Sequence, residues 1–195
     1  MRWIPKSLVI HQWVNEANKL KLKPISVSLD GMQMHLARQE AVDAYNRMAA
    51  DALNEKVRLK IIWAYRSVSM QIQQFAEAEK KYGKRGAIQW LAPPGYSEHH
   101  TGWALDIGDE ADPEADDNPL FERTAAFRWL SRNARRYGFE LSFPKNNWQG
   151  VGYEPWHWRF FATPEANSMF HPRTWAKAAV WSLSFLEALK HWALP

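Results

Sequence analysis

An α+β fold, with helices packed on a small antiparallel sheet, follows from three observations in the sequence. Short stretches alternate in polarity or are rich in β-branched and aromatic residues. Longer stretches repeat apolar residues at helical spacing, and no repeat, low-complexity tract or long linker divides the 195 residues. With 46% hydrophobic and 14% aromatic residues, the 22.8 kDa chain can bury a sizeable core, which excludes a disordered protein.

In order, Val42, Tyr45, Met48, Ala49 and Ala52 predict a helix over Gln39 to Asn54. Val57 to Trp63 is a β-branched and aromatic strand that delivers Arg66 just beyond its end. Met70 to Tyr82 is a helix with Ser67 or Ser69 as its N-cap and Gly83 as its stop. After Gly102, which tolerates positive φ, Trp103 to Gly108 alternates as a strand. Ala104 and Asp106 share one face, and Trp103, Leu105 and Ile107 take the other. Asp109 to Asp117 is an acidic loop that lacks the glycine and terminal glutamate of a calcium loop, so it is expected to be solvated. Phe121 to Tyr137 is a helix ended by Gly138, and Trp156 to Phe161 alternates as a final strand.

The chemistry is concentrated in Ser97-Glu-His-His-Thr-Gly-Trp-Ala-Leu-Asp106 and Glu154-Pro-Trp-His157. A hydrolytic zinc takes three protein ligands and keeps one position for water, and a nearby carboxylate outside the coordination sphere can take that water's proton. His99, Asp106 and His157 fit the ligand role, and Glu154 fits the base. His99 and Asp106 would lie roughly 23 Å apart on extended chain, whereas ligands of one metal approach within about 3 to 4 Å. The chain must therefore reverse between them, and Thr101-Gly102 is where it can. Arg66 is the candidate second electrophile, for an oxyanion or a substrate carboxylate. Trp156 is either core or a wall of the pocket, and Trp90 and Trp148 could also line a groove. His100 reads as a supporting or surface histidine, because neighbouring strand residues point to opposite sides.

The pattern Ser-x-His-x-x-Gly-x-Ala-x-Asp followed by Glu-Pro-Trp-His resembles the VanY-type D-alanyl-D-alanine carboxypeptidases. These belong to a zinc peptidase group that includes D-Ala-D-Ala dipeptidases and resembles the hedgehog domain. Tyr65-Arg-Ser-x-x-x-Gln71, Ala92-Pro-Pro-Gly-Tyr96 and Trp129-Leu-x-x-Asn-Ala-x-x-Tyr-Gly-Phe139 extend the resemblance, which covers about residues 30 to 162. It implies a small antiparallel sheet bearing one zinc ion, Ser97 and Gln71 as further substrate contacts, and stem peptides of peptidoglycan ending in D-alanine as substrates, cleaved at a D,D or L,D bond. A lytic endopeptidase of the same zinc group and a noncatalytic binding module are the alternatives. The unliganded Glu154 argues against the module.

This divides the chain into an N-terminal extension (1–29), a zinc carboxypeptidase domain (30–165) and a C-terminal amphipathic helical extension (166–195). The net charge of +4 is dispersed, with no continuous basic stripe for nucleic acid. The absence of cysteine leaves only nitrogen and oxygen ligands. Lys177, Glu187, Lys190 and His191 interrupt the Trp-rich C-terminal stretch, so no integral membrane span is expected. No signal-like apolar run follows Met1, so localisation stays open between the cell envelope suggested by the substrate class and the cytoplasm.

Overall fold

The structure, a computed structural model, describes residues 11, 13 to 27 and 34 to 170, with only the backbone described for 26, 27 and 85. Two strands, β1 (Leu22–Val27) and β2 (Met34–Arg38), form an antiparallel ribbon that runs into helix α1 (Gln39–Asn54). A four-stranded antiparallel sheet has the order β3 (Leu59–Trp63), β4 (Ala104–Asp109), β6 (His157–Phe160), β5 (Phe139–Leu141). Helix α2 (Val68–Trp90) follows β3, and helix α3 (Ala125–Asn133) packs on β4. The chain divides into a compact unit ending at Phe160 and a second from Phe161, in which the short helix α4 (Pro164–Phe170) buries Ala166 and Phe170. Residues 11 to 27 lie in the first unit together with the sheet.

The central strand β4 is buried along its whole length. Trp103, which leads into it, and Leu105 and Ile107 in it are at most 1% exposed. Trp103 stacks on Phe160 at 5.5 Å between ring centroids, and Phe160 meets Phe139 edge-on at 5.4 Å. Offset and edge-to-face pairs of this kind add to the area effect of burying large rings. The opposite face carries the small Ala104 and then Asp106, so the strand's alternation divides apolar core from polar site.

Three elements differ from the sequence reading. Gly83 adopts φ +69°, as a stop requires, yet helical hydrogen bonding resumes beyond it, and the element reaches Trp90 with a kink. The stretch over Phe121 to Tyr137 is one α-helix flanked by two 3-10 turns, Pro119–Arg123 and Ala134–Tyr137, because the Thr124 hydroxyl caps the middle segment at Phe127 N. The acidic loop is exposed over residues 110 to 114, but Asp109 is only 2% exposed and accepts from the backbone N–H groups of Ala111 and Ala126. No described helix is long and apolar enough to cross a membrane. The expected helix over Trp175 to Leu194 lies outside the described residues.

Candidate active site

Local geometry brings the two motifs together. Glu98 to Thr101 forms one 3-10 turn, and Gly102 closes it at φ +72° with its N–H on the His99 carbonyl. That reversal feeds β4, where Asp106 is the direct cross-strand partner of His157 on β6. Register therefore places two of the expected ligands side by side on one face, and the turn returns the third to them.

His99 donates from Nδ1 to the Ala64 carbonyl at 2.7 Å, which turns Nε2 toward Asp106 Oδ2 at 3.1 Å. His157 presents Nδ1 to Asp106 Oδ1 at 3.0 Å, and the two imidazoles stand nearly perpendicular at 4.8 Å between centroids. One donor atom from each of His99, Asp106 and His157 lies within 4.8 Å of the other two, and all three residues are buried. The mutual orientation of two imidazoles and a carboxylate fits a metal ion with nitrogen and oxygen ligands. The lock on His99 Nδ1 leaves Nε2 as its ligand atom.

The electrostatics of these side chains in isolation are those of a buried charge cluster. Burial alone would raise Asp106, but the two histidines outweigh it and hold the carboxyl far below its ordinary range. Burial and Arg66 lower His99 despite Asp106. Burial also opposes charge on His157, yet its hydrogen bonds to Asp106 and Glu98 win and raise it.

Glu154 stands at 3.9 Å from His157 Nδ1, across the turn at Pro155, and is 9% exposed. Burial, reinforced by Asp106, Glu98 and Asp117 against the opposing pull of His157, pushes its carboxyl up to about 8. Arg66 is also 9% exposed. Its Nη1 donates to Gln71 Oε1 at 3.0 Å, its guanidinium lies 5.1 Å from the centre of the Trp63 ring, and its Nε is buried without a partner among the described residues. Arg66 lines the site's cavity, and a planar guanidinium suits a substrate oxygen or carboxylate.

These groups open on a cavity of about 570 Å³ whose walls include Arg66, Ser97, Glu154, Trp156 and the three ligand candidates. Ser97 is 4% exposed and Trp156 8%, so Trp156 is both well buried and part of the wall. Gln71 does not line the cavity. It is fully buried and holds Arg66 on one side while donating to the Ala92 carbonyl at 2.6 Å on the other. Trp90 lines the cavity, whereas Trp148 does not. His100 is fully buried, on a 3-10 turn rather than a strand, with Nδ1 donating to the Arg66 carbonyl at 2.6 Å and Nε2 accepting from Gly95 N.

Several cavity residues carried no readable signal in the sequence. His11 and Asp117 line the wall, and Asp117 does so from a left-handed backbone at φ +48°. Glu98 also lines it, and its side chain joins His157, Ser142 and Arg159. Glu98 lies inside the first motif and Arg159 two residues beyond the second, and only the sheet register reveals that they meet.

Comparison with known proteins agrees with this geometry. A sequence model of the VanY family, D-alanyl-D-alanine carboxypeptidases, matches residues 34–163. YodJ of Bacillus subtilis is 37% identical over 131 residues, which are 66% of this chain and 48% of that protein, so the chain spans about half of YodJ's length. VanXYC of Enterococcus gallinarum, a bifunctional D-Ala-D-Ala dipeptidase and D-Ala-D-Ala carboxypeptidase, is 31% identical over 157 residues, covering 77% of this chain and 78% of that one. Among solved structures, the LD-carboxypeptidase LdcB shares 32% identity at a TM-score of 0.70, over 82% of this chain and 78% of its own. With both motifs meeting on one wall and the match running from β2 past β6, the chain belongs to the VanY family of D-alanyl-D-alanine carboxypeptidases.

Proposed function

We propose that the protein is a zinc-dependent carboxypeptidase that removes the terminal D-alanine from peptidoglycan stem peptides. The observation that carries this reading is the meeting, in one cavity, of a three-ligand His-Asp-His cluster, the carboxyl of Glu154 outside it and the guanidinium of Arg66. His99, Asp106 and His157 would hold the ion. When bound, zinc supplies Lewis acidity to the scissile carbonyl and makes water acidic near neutral pH.

In this reading Glu154 takes the proton of the attacking water and delivers it to the leaving amine of the terminal residue. Arg66 pairs with the anionic part of the substrate, its terminal carboxylate or the oxygen that gains charge during attack, while Gln71 fixes the guanidinium plane. Ser97 and Trp156 complete the wall and restrict water around the reacting bond. The likeness to LdcB, an LD-carboxypeptidase that recognises peptidoglycan, and to VanXYC, a D-Ala-D-Ala dipeptidase and carboxypeptidase, supports this class of substrate.

Defined muropeptides incubated with zinc-loaded protein and followed by mass spectrometry test the reading. Loss of a single alanine from pentapeptide or tetrapeptide stems is the expected outcome. Release of internal fragments from cross-linked wall, with free stems left intact, would replace it with the endopeptidase.

A further inference from the structure

Within the cavity, Glu98 is a carboxylate that the proposed chemistry leaves unused. Its side chain is 10% exposed and every oxygen is engaged. Oε2 accepts from Ser142 Oγ at 2.6 Å and from His157 Nε2 at 3.0 Å, and Oε1 accepts from Arg159 Nη1 at 2.7 Å. Arg159 is itself held by Glu140, its cross-strand partner on β5, through Nε and Nη2 at 2.9 Å each. The line Glu140, Arg159, Glu98, His157 thus runs from the sheet edge into the site, and each member is fixed by charge-assisted hydrogen bonds.

This arrangement settles which nitrogen of His157 faces the ligand cluster. Both carboxylates accept, so without a metal ion His157 donates from Nε2 to Glu98 and from Nδ1 to Asp106 Oδ1; an ion in the cluster would take the place of the Nδ1 proton and leave the Nε2 proton on Glu98. Phe143 packs against the same ring at 5.0 Å between centroids and closes off its flank. Each Glu98 oxygen already accepts a hydrogen bond from the protein, and the carboxylate bonds the far nitrogen of His157, away from the cluster.

From this we infer that Glu98, anchored by Arg159 and Ser142, is a positioning residue that fixes the tautomer and ring orientation of His157 and so sets the affinity of the site for zinc. This rests on the metal site of the proposed function and adds a residue to it. A carboxylate bonded to the far nitrogen of a metal-ligating histidine raises the basicity of the ligand, and losing such a partner costs about 10- to 100-fold in metal affinity.

The test compares wild type with Glu98→Ala, Glu98→Gln and Ser142→Ala. Zinc dissociation constants come from competition with a chromophoric chelator. Cobalt-substituted protein gives the visible spectrum, and long-range nitrogen NMR of the zinc-loaded protein gives the His157 tautomer. Glu98→Ala is expected to weaken zinc binding about 10- to 100-fold and to alter the cobalt bands. Glu98→Gln, which keeps an acceptor but presents an amide to Arg159, falls between it and wild type, and Ser142→Ala loses affinity by a few fold. Wild type shows Nε2 protonated. Far-ultraviolet circular dichroism of the metal-free proteins separates site from scaffold, and if Glu98→Ala does not fold, Glu98→Gln and Ser142→Ala carry the comparison. Wild-type zinc affinity and an unchanged cobalt spectrum in the folded Glu98 variants overturn the positioning role alone. Failure of wild type itself to hold zinc overturns the metal site beneath it.

Discussion

At Glu154 the fold and the reaction pull in opposite directions. Its carboxyl is pushed up from 4.5 to about 8, chiefly by burial, so in the metal-free protein the folded state keeps a proton that the unfolded chain has released above pH 4.5. Stability contributed by this group therefore falls as pH rises from about 4.5 toward 8, because the native state binds more protons than the unfolded one. Glu154→Gln removes that cost, and the melting temperature of the chelated protein at pH 8 should rise by several degrees, at about 2 to 4 °C per kcal/mol for a chain of this size. The same substitution should retain zinc and lower turnover at least about a hundredfold, since an amide cannot accept the proton. Loss of zinc would make Glu154 a ligand, and undiminished turnover would remove it from the chemistry. Arg66 makes the complementary case. Its planar fork lines the cavity and suits a free carboxylate, so C-terminally amidated stem peptides should be poor substrates, and Arg66→Lys should lose most activity because an ammonium cannot form two parallel bonds. Equal hydrolysis of free and amidated peptides would exclude that role. The sequence motifs point to both residues, and the structure brings both to the cavity wall. The resemblance implies Gln71 as a substrate contact, whereas the structure keeps it off the cavity wall and bonds it to Arg66 and the Ala92 carbonyl, which spacing alone could not reveal.

Turns and register at the level of elements decide whether those residues meet. The helix over Gln39 to Asn54 was readable to the residue because its apolar stripe is uninterrupted and tertiary packing agrees with propensity. Alternation likewise marked β4 and β6. Their pairing, with Asp106 opposite His157 across 51 residues of chain, was demanded by ligand geometry but could not be assigned a register from sequence. Where local signals were mixed the reading slipped. Gly83 was a sound stop by its φ, but α2 continues beyond it. Gly102 is the decisive turn. It sits at φ +72°, and a Cβ there would come within 2.7 Å of Leu22 Cδ2 and 3.3 Å of Arg38 Cγ. Gly102→Ala should therefore cost about 1 to 2 kcal/mol from the left-handed backbone alone, plus a shift of the Leu22 side chain, and should weaken zinc binding because the same turn carries His99. Gly83→Ala is the matched control, with φ +69° but no described atom within 4 Å of its Cβ. It should lose comparable backbone stability and keep zinc affinity. Equal zinc affinity in both variants would show that the turn does not set the site.

For the molecule as a whole, the site is a clamp between segments distant in sequence. His99 comes from the turn after α2, Asp106 from the central strand and His157 from the strand paired with it, while the backbone of Ala64 fixes His99 from beyond β3. Such a set cannot exist in the unfolded chain, so zinc binds the native state and stabilises it by mass action. The apolar core lies on the other face of β4, where Trp103, Leu105 and Ile107 are buried without help from the site, so the chelated protein should keep its sheet and melt cooperatively. At free zinc a hundredfold above its dissociation constant the gain is about 2.7 kcal/mol, which for a chain this long corresponds to a rise of roughly 5 to 10 °C in melting temperature. The rise should shrink as pH falls, because protons compete for His99, Asp106 and His157. Calorimetry of wild type, His99→Ala and His157→Ala with and without zinc checks this. Both variants should lose the zinc-dependent shift while keeping a cooperative transition, and chelation of wild type should abolish hydrolysis until zinc is restored. A shift of full size in either variant would place the stabilising ion elsewhere and detach the His-Asp-His cluster from the activity of the protein.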